Sequence, residues 1–405
     1  VKVVLTTPTW PPEASANGIV TYVDSMRKGL GRLGVDVRVL TGRIDGEHSD
    51  PGVAVVPTRR LTPLLSEKRT RRLMVRVLGD DALRVDAARL FARTVKGLRP
   101  SFQSDLIEME ESFGMSAEVS KRLDVPLVVR LHGPWFLNGD ALGVPKDEDY
   151  ETRVKLEGEA IEAARAVTSP SADLLERVRA FYGIELPDAA VIPNPAPPAD
   201  PSRRWTLSGC DPNLVVYVGR FDRHKGGDLA IDAFASIAER YPDLRLAFIG
   251  PDRGLQSADG TRVSLDEYVA RRVPDESVRS RIQNLGQLTP DEVSEWRQKA
   301  RVVVVGSRYE VFGMVVVEAL VQACPLVAAD AGGIPEIVRD GENGLLFPSS
   351  DASVLARRLE ELLDDPALSE RLGKSGSKDI PLRFGIDTVA KQTKDYYQRV
   401  LAATR

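Results

Sequence analysis

The sequence predicts an α/β protein made of two doubly wound, Rossmann-like domains that face each other across a cleft. Three observations carry this expectation. Short β-branched runs alternate with helically patterned stretches along nearly the whole chain, which implies mostly parallel sheets with helices on both faces. A proline-dense segment, PNPAPPADPSRRW from Pro193 to Trp205, interrupts that alternation near the middle and can continue neither a helix nor a central strand. Beyond it the alternation restarts. The length of 405 residues suits two domains at the usual size of roughly 100 to 200 residues each.

The first 43 residues form a βαβ unit: VKVVLTT, a loop through Gly18, a helix with Ile19, Val23, Met26, Leu30 and Leu33 on one face, then VDVRVL. Further strands are expected at Asp105 to Glu108, Pro126 to Leu131, Val167 to Ser169 and Val191 to Pro193. After the linker come NLVVYVG, LRLAFIG, IQNLG, RVVVVGS, PLVAAD and GLLF. From about Phe384 the positions Val389, Tyr396, Tyr397 and Val400 recur among charges as on an amphipathic helix. Domain boundaries follow at residues 1–195 and 196–384, with a terminal helix over about 385–405 that packs back on the first domain.

Bulk properties exclude several function classes. A net charge of −4 and a pI near 5.7 give no broad attraction to nucleic acid. Cys210 and Cys324 are the only cysteines and form no CxxC pair, so neither a disulfide framework nor a zinc site is expected. No apolar run reaches the roughly 18 to 20 residues needed to span a bilayer, and VKVVLTTPTW lacks a signal peptide's hydrophobic core. A soluble protein of the reducing cytoplasm is expected.

Three constellations carry chemistry. Gly18 precedes the first helix, where free backbone N–H groups and the helix dipole attract phosphate; a glycine needed only for backbone conformation is the plainer reading. GRFDRHKGG, from Gly219 to Gly227, follows a strand and sets Arg220 and Lys225 at its carboxyl end, the place where open α/β sheets bind ligands. Together they suit a diphosphate, although charge alone also describes a solvated basic turn. SRYEVFGMVVVEALVQACPLVAADAGGIPEIV, from Ser307 to Val338, holds Glu310 in a loop and Glu318 inside the helix that starts near Phe312 and Gly313. Paired carboxylates accept hydroxyl hydrogen bonds well, which suits a sugar and a ribose. Glu318 sits among VVV and AL, where burial without a partner would be costly.

These motifs, in this order and spacing, resemble the retaining glycosyltransferases of the GT-B architecture, in the large family four group that contains sucrose synthases and phosphatidylinositol mannosyltransferases. AGGIPEIV and NGLLF add to the likeness. It is closest from Val215 to Pro348 and weakest from Val53 to Phe102. The resemblance implies a hexosyl transfer in polysaccharide biosynthesis from a nucleotide-diphosphate sugar to a sugar or lipid-linked acceptor, with no metal and no cofactor beyond the donor. It places the donor diphosphate on Arg220 and Lys225, the transferred sugar on Glu310, and the ribose on Glu318. Phe312, Gly313 and Met314 fall in the same donor motif. LGQLTPDEV implies backbone contacts to the base near Gln287 and Leu288, and RLHGPW offers His132 as the strand-end histidine that faces the sugar. Two departures are visible: PNPAPP replaces the family's Asn-Gly-Val-Asp after the interdomain strand, leaving Asn194 alone, and Val311 stands where small or polar residues are frequent.

Remaining features have weaker claims. Asp147, Glu148 and Asp149 spell the DxD pattern of metal-binding transferases but follow no strand and are read as chance. The stretch from Arg59 to Arg76 is basic with interspersed Leu, Met and Val. It suits peripheral contact with anionic lipid on the inner membrane face or with a phosphorylated acceptor, and equally a solvated helix covering the first domain. His48 and His224 receive no catalytic role. The rival readings are a nucleotide-sugar epimerase on a similar scaffold and a sugar-nucleotide-binding protein without turnover.

Overall fold

The computed structural model describes residues 1–14, 17–47, 49–57, 80–98, 100–256 and 261–404. The basic stretch 59–76 and His48 lie outside the described residues. Seven strands build the first sheet: β1 (Lys2–Thr7), β2 (Asp36–Thr41), β3 (Val53–Val55), β4 (Leu106–Glu110), β5 (Leu127–Arg130), β6 (Ala166–Ser169) and β7 (Ala190–Val191). Their order is β3-β2-β1-β4-β5-β6-β7, and every pairing is parallel. The second half adds β8 (Leu214–Val218), β9 (Arg245–Ile249), a short antiparallel pair β10 (Leu255–Gln256) and β11 (Arg262–Val263), then β12 (Ile282–Gly286), β13 (Val302–Val305), β14 (Leu326–Asp330) and β15 (Leu345–Pro348). Its parallel sheet has the order β12-β9-β8-β13-β14-β15.

These orders matter because each sheet reverses its winding once. The first turns between β1 and β4, the second between β8 and β13. Connections on either side of such a point leave to opposite faces, so a crevice opens at the carboxyl ends of those strands. The loops that leave β1, β4, β8 and β13 are the ones that carry Gly18, Glu111, Arg220 to Lys225, and Glu310. The central strand β13 is apolar on both faces, as burial between two helical layers requires: Val302 to Val305 are all buried.

The two halves are joined twice. The proline-rich crossing hydrogen-bonds its Ala196 N–H to the Phe384 carbonyl at 2.6 Å, and Ala196 bridges Gly385 on the returning chain. The last helix, Ile386–Ala402, then lies on the first half. Val389, Ala390, Tyr396, Tyr397 and Val400 join Val20, Met26 and Leu106 in one buried cluster. Two of its tyrosines are fixed by hydrogen bonds. Tyr396 Oη accepts from the Val167 N–H at 3.1 Å, and Tyr397 Oη donates to Glu108 Oε2 at 2.8 Å. Glu108 also receives the Tyr22 hydroxyl at 2.9 Å. Burial raises its pKa above the ordinary carboxylate value, opposed by the Arg130 charge and by both tyrosines. No helix among the described residues is long and apolar enough to cross a membrane.

Removing one donor from a buried acceptor costs about 1–3 kcal/mol. Tyr397→Phe is therefore expected to lower the midpoint of thermal unfolding by about 1–4 degrees. An unchanged midpoint would show that the Tyr397–Glu108 bond contributes nothing to holding the last helix.

Candidate active site

The loop after β8 is shaped by its own side chains. Asp222 accepts Arg220 Nε at 2.7 Å and the Lys225 N–H at 2.8 Å, and the Tyr217 hydroxyl donates to the Lys225 carbonyl at 2.7 Å. Gly226 has φ +66, and a Cβ there would stand 1.9 Å from the Gly306 carbonyl oxygen. Glycine is thus required for this loop to abut the one leaving β13. The abutment brings Lys225 Nζ to 2.5 Å from Glu310 Oε1, which also accepts the Ser307 hydroxyl at 2.7 Å. Glu310 is held from behind as well: its carbonyl accepts the Gly333 N–H at 2.8 Å, and a Cβ on Gly332 would come within 2.1 Å of it. Burial would raise the Glu310 pKa, but the Lys225 charge and the hydrogen bonds of Lys225 and Ser307 hold it below the ordinary value. The carboxylate is ionised.

Gly313, at φ +110, caps the helix Met314–Val321. Glu318 in that helix has a partner. It is not buried without a partner: its side chain is 37% exposed and pairs at 2.6 Å with Arg297, which is 5% exposed. The group that needs compensation is the arginine. Phe312 is mainly a core residue, 3% exposed and edge-on to Phe384.

The opposite wall comes from the first sheet. Gly18 is the first residue of the helix Gly18–Arg32, and Asn17 caps it by accepting the Ile19 N–H at 2.9 Å. Its φ is not left-handed and nothing lies within 4 Å of a Cβ placed there, so conformation does not explain the glycine. The space in front of it is open cleft. His132 follows β5; burial and then the Arg130 charge push its pKa down to about 3. The imidazole is neutral, and its ring meets Tyr22 edge-on at 5.2 Å.

One cleft of about 830 Å³ gathers these groups. Arg220, Lys225, Glu310, Phe312, Gly313, Met314 and Glu318 line it from the second sheet, and Gly18, Tyr22, His132 and Asn194 from the first. Gln287 and Leu288 are not among its walls; the chain they lead into reaches the cleft only at Pro290. Leu288 instead packs against the core of the second half. Across the cleft, Ser171 Oγ donates to the Val311 carbonyl at 2.6 Å, and Glu336 accepts the Ala172 and Asp173 N–H groups, each at 2.9 Å. The DxD pattern has a structural explanation, since Asp147 caps the helix Glu148–Glu162 through the Tyr150 N–H. No group of three or more potential metal ligands occurs among the described residues.

The second half matches the family model for glycosyl transferases group 1 over residues 202–379, and the first matches the glycosyl transferase 4-like domain over residues 17–195. The chain belongs to the group 1 glycosyl transferases. Relatives include a D-inositol 3-phosphate glycosyltransferase of Streptomyces bingchenggensis, 28% identical over 98% of this chain and 87% of that protein. An alpha-maltose-1-phosphate synthase of Mycobacterium tuberculosis is 32% identical over 69% of this chain and 74% of its own length. Among solved structures, sucrose-phosphate synthase from Thermosynechococcus elongatus has a TM-score of 0.73 at 23% identity, covering 99% of both chains. Anabaena HepE, in complex with UDP, gives 0.69 at 17% identity over 98% of this chain and all of that one. This glycosyl transferase therefore has the GT-B fold.

In the transferase, the sequence reading missed the acids behind His132. Glu111 is 1% exposed, and both its oxygens lie 3.0 Å from the His132 N–H. Glu157 accepts the Trp135 N–H at 2.6 Å and the Phe113 N–H at 3.1 Å. Burial and the nearby Glu157 push the Glu111 pKa up to about 8. The run EMEES (108–112) was the available signal, but a strand end does not reveal which of its acids turns inward.

The raised pKa has a pH consequence. Glu111 contributes stability that is fully present below its unfolded value of 4.5 and is lost as pH rises through about 8. In Glu111→Gln the fall of the unfolding midpoint between roughly pH 5 and pH 8 should be shallower than in the native enzyme. Parallel profiles would contradict a protonated Glu111 in the folded state.

Proposed function

We propose that this transferase moves a hexosyl unit from a nucleoside diphosphate sugar to an acceptor hydroxyl with retention of anomeric configuration and without a metal ion. The observation that supports it most is the Lys225–Glu310 pair beside Arg220 at the winding reversal of one sheet, facing the helix N-terminus at Gly18 across a shared cleft. A diphosphate entering this space meets two cations and a helix dipole on one side and open backbone N–H groups on the other. Glu310 then turns to sugar hydroxyls as phosphate oxygens take over Lys225. Anabaena HepE, also solved with UDP-glucose, supports a nucleotide sugar as donor class.

In the reaction the acceptor oxygen bonds to the anomeric carbon as the bond from that carbon to the phosphate oxygen breaks on the same face. The acceptor proton passes to the departing phosphate. Arg220, Lys225 and the N-terminus of the helix Met314–Val321 stabilise the charge that develops there. His132, neutral at physiological pH, offers the sugar a hydrogen-bond partner without adding charge. The first domain supplies the acceptor side, and the contacts of Ser171 and Glu336 across the cleft favour the closed arrangement that excludes water.

Uridine, guanosine, adenosine and thymidine diphosphate sugars tested by thermal shift should include a stabilising donor, worth about 2.7 kcal/mol at 100 times its dissociation constant. With that donor, Lys225→Ala should reduce turnover on the order of 10². Glu310→Gln should suppress transfer while nucleoside diphosphate affinity stays near native. An unchanged rate in the first variant, or equal loss of transfer and nucleotide binding in the second, would contradict these roles.

A further inference from the structure

The loop that leaves β5 and carries His132 is held by two acids from other parts of the first domain. It runs through Gly133 and Pro134 into the short helix Trp135–Ala141. His132 and Trp135 both line the transfer cleft, and the backbone N–H of each ends on a carboxyl group. His132 meets both oxygens of Glu111 at 3.0 Å, and Trp135 meets Glu157 at 2.6 Å. Each acid is 1% exposed. Glu157 also fixes the loop of Glu111, accepting the Phe113 N–H at 3.1 Å, and pairs with Arg153 at 2.8 Å. That loop is bent to reach it. Phe113 has φ +58, a backbone conformation that side chains other than glycine's seldom adopt. Gly114 follows at φ +63, where a Cβ would stand 2.4 Å from the Leu156 carbonyl oxygen.

Stability does not account for this arrangement. A backbone carbonyl could accept either N–H group without taking an acid out of water. Instead Glu110 joins the other two acids, and burial pushes it up to about 7 against the Arg153 charge. Strained backbone and buried acids of raised pKa gather at functional sites, and the residue held here is the one that faces the sugar in the function proposed above. We infer that Glu111 is a positioning residue for sugar transfer, assisted by Glu157, and that it fixes the His132 backbone so that the imidazole, braced edge-on against Tyr22, keeps its place in the cleft. This rests on that role of His132 and goes beyond it, because turnover then depends on an acid that touches no substrate.

The groups that face Glu111 are Glu110 on β4, Glu157 on the helix Glu148–Glu162 with Arg153 behind it, and Tyr182 on the helix Ala172–Tyr182. Burial carries the Tyr182 hydroxyl far above its ordinary range, and His132, pushed down to about 3, stays neutral throughout. Below about 8, Glu111 is uncharged beside Glu157. Above that pH a second carboxylate faces Glu157 in an apolar surrounding; the like charges separate, and the loops they hold move with them. Turnover falls on the alkaline side.

The full chain labelled with heavy-nitrogen histidine gives three backbone amide signals, from His48, His132 and His224, and His132→Gln assigns the one concerned. In the native protein the His132 signal should titrate with a midpoint of about 8. In Glu111→Gln, an uncharged isostere that still accepts the N–H, it should stay constant. Release of nucleoside diphosphate is measured with whichever of the uridine, guanosine, adenosine and thymidine diphosphate glucoses stabilises the protein. It should fall over the same interval in the native enzyme and hold level in Glu111→Gln. In Glu111→Leu, which orphans the N–H, it should drop about tenfold near neutral pH, with nucleoside diphosphate affinity native in both variants. An amide signal that does not titrate, or an alkaline fall that survives in Glu111→Gln, overturns the inference. Native turnover in His132→Gln overturns the role of His132 and this inference with it, whereas loss there with native profiles in both Glu111 variants overturns the inference alone.

Discussion

The contact between Lys225 and Glu310 is the constraint on which the second domain's cleft wall is built. Two opposite charges, mostly withdrawn from water, meet from the loops of adjacent parallel strands, β8 and β13. Desolvating such a pair offsets much of its attraction, so a buried ion pair is poor evidence for stability. The surrounding sequence nevertheless serves this one arrangement. Gly226 allows the two loops to touch, Asp222 fixes the backbone at Lys225, Ser307 supplies a third hydrogen bond, and Gly332 lets the following turn close on the Glu310 carbonyl. An element so heavily supported by its neighbours suits the donor-binding role proposed for it above.

The same loop ties the site to the other domain. Val311, next to Glu310, receives the Ser171 hydroxyl, and Glu336 covers the N–H groups that begin the helix Ala172–Tyr182. A carboxylate at a helix N-terminus complements both the free N–H groups and the dipole, here across a domain boundary. The loop of Glu310 and the first domain are thereby linked through a few polar contacts. The returning helix Ile386–Ala402, by contrast, is locked by apolar burial and by the Tyr397–Glu108 bond. It belongs to the first domain's core.

Much of this was legible in the sequence because it rests on local pattern. Strand runs such as IQNLG and PLVAAD announced β12 and β14 to within a residue of their ends, since short segments bounded by glycine or proline between helical stretches have few alternatives. The basic turn at Arg220 and Lys225 and the acids at Glu310 and Glu318 stood out by residue type and spacing. What stayed hidden depends on distant partners. Arg297 as the counter-charge of Glu318, Glu111 behind His132, and Arg130 reaching the Ile192 carbonyl and Asn194 join positions from different strands, and no local signal encodes such meetings. Gln287 and Leu288 fall in a motif whose order matches, while the chain path keeps both off the lining of the cleft, which this segment reaches at Pro290.

A crystal structure of the protein with a bound nucleoside diphosphate sugar tests the central claim most directly. Phosphate oxygens are expected within about 2.7–3.2 Å of Lys225 Nζ and the Arg220 guanidinium, with the hexose hydroxyls on Glu310 and the Lys225–Glu310 contact lengthened to admit them. A ligand seated elsewhere, with that ion pair intact and no phosphate near either cation, would contradict it.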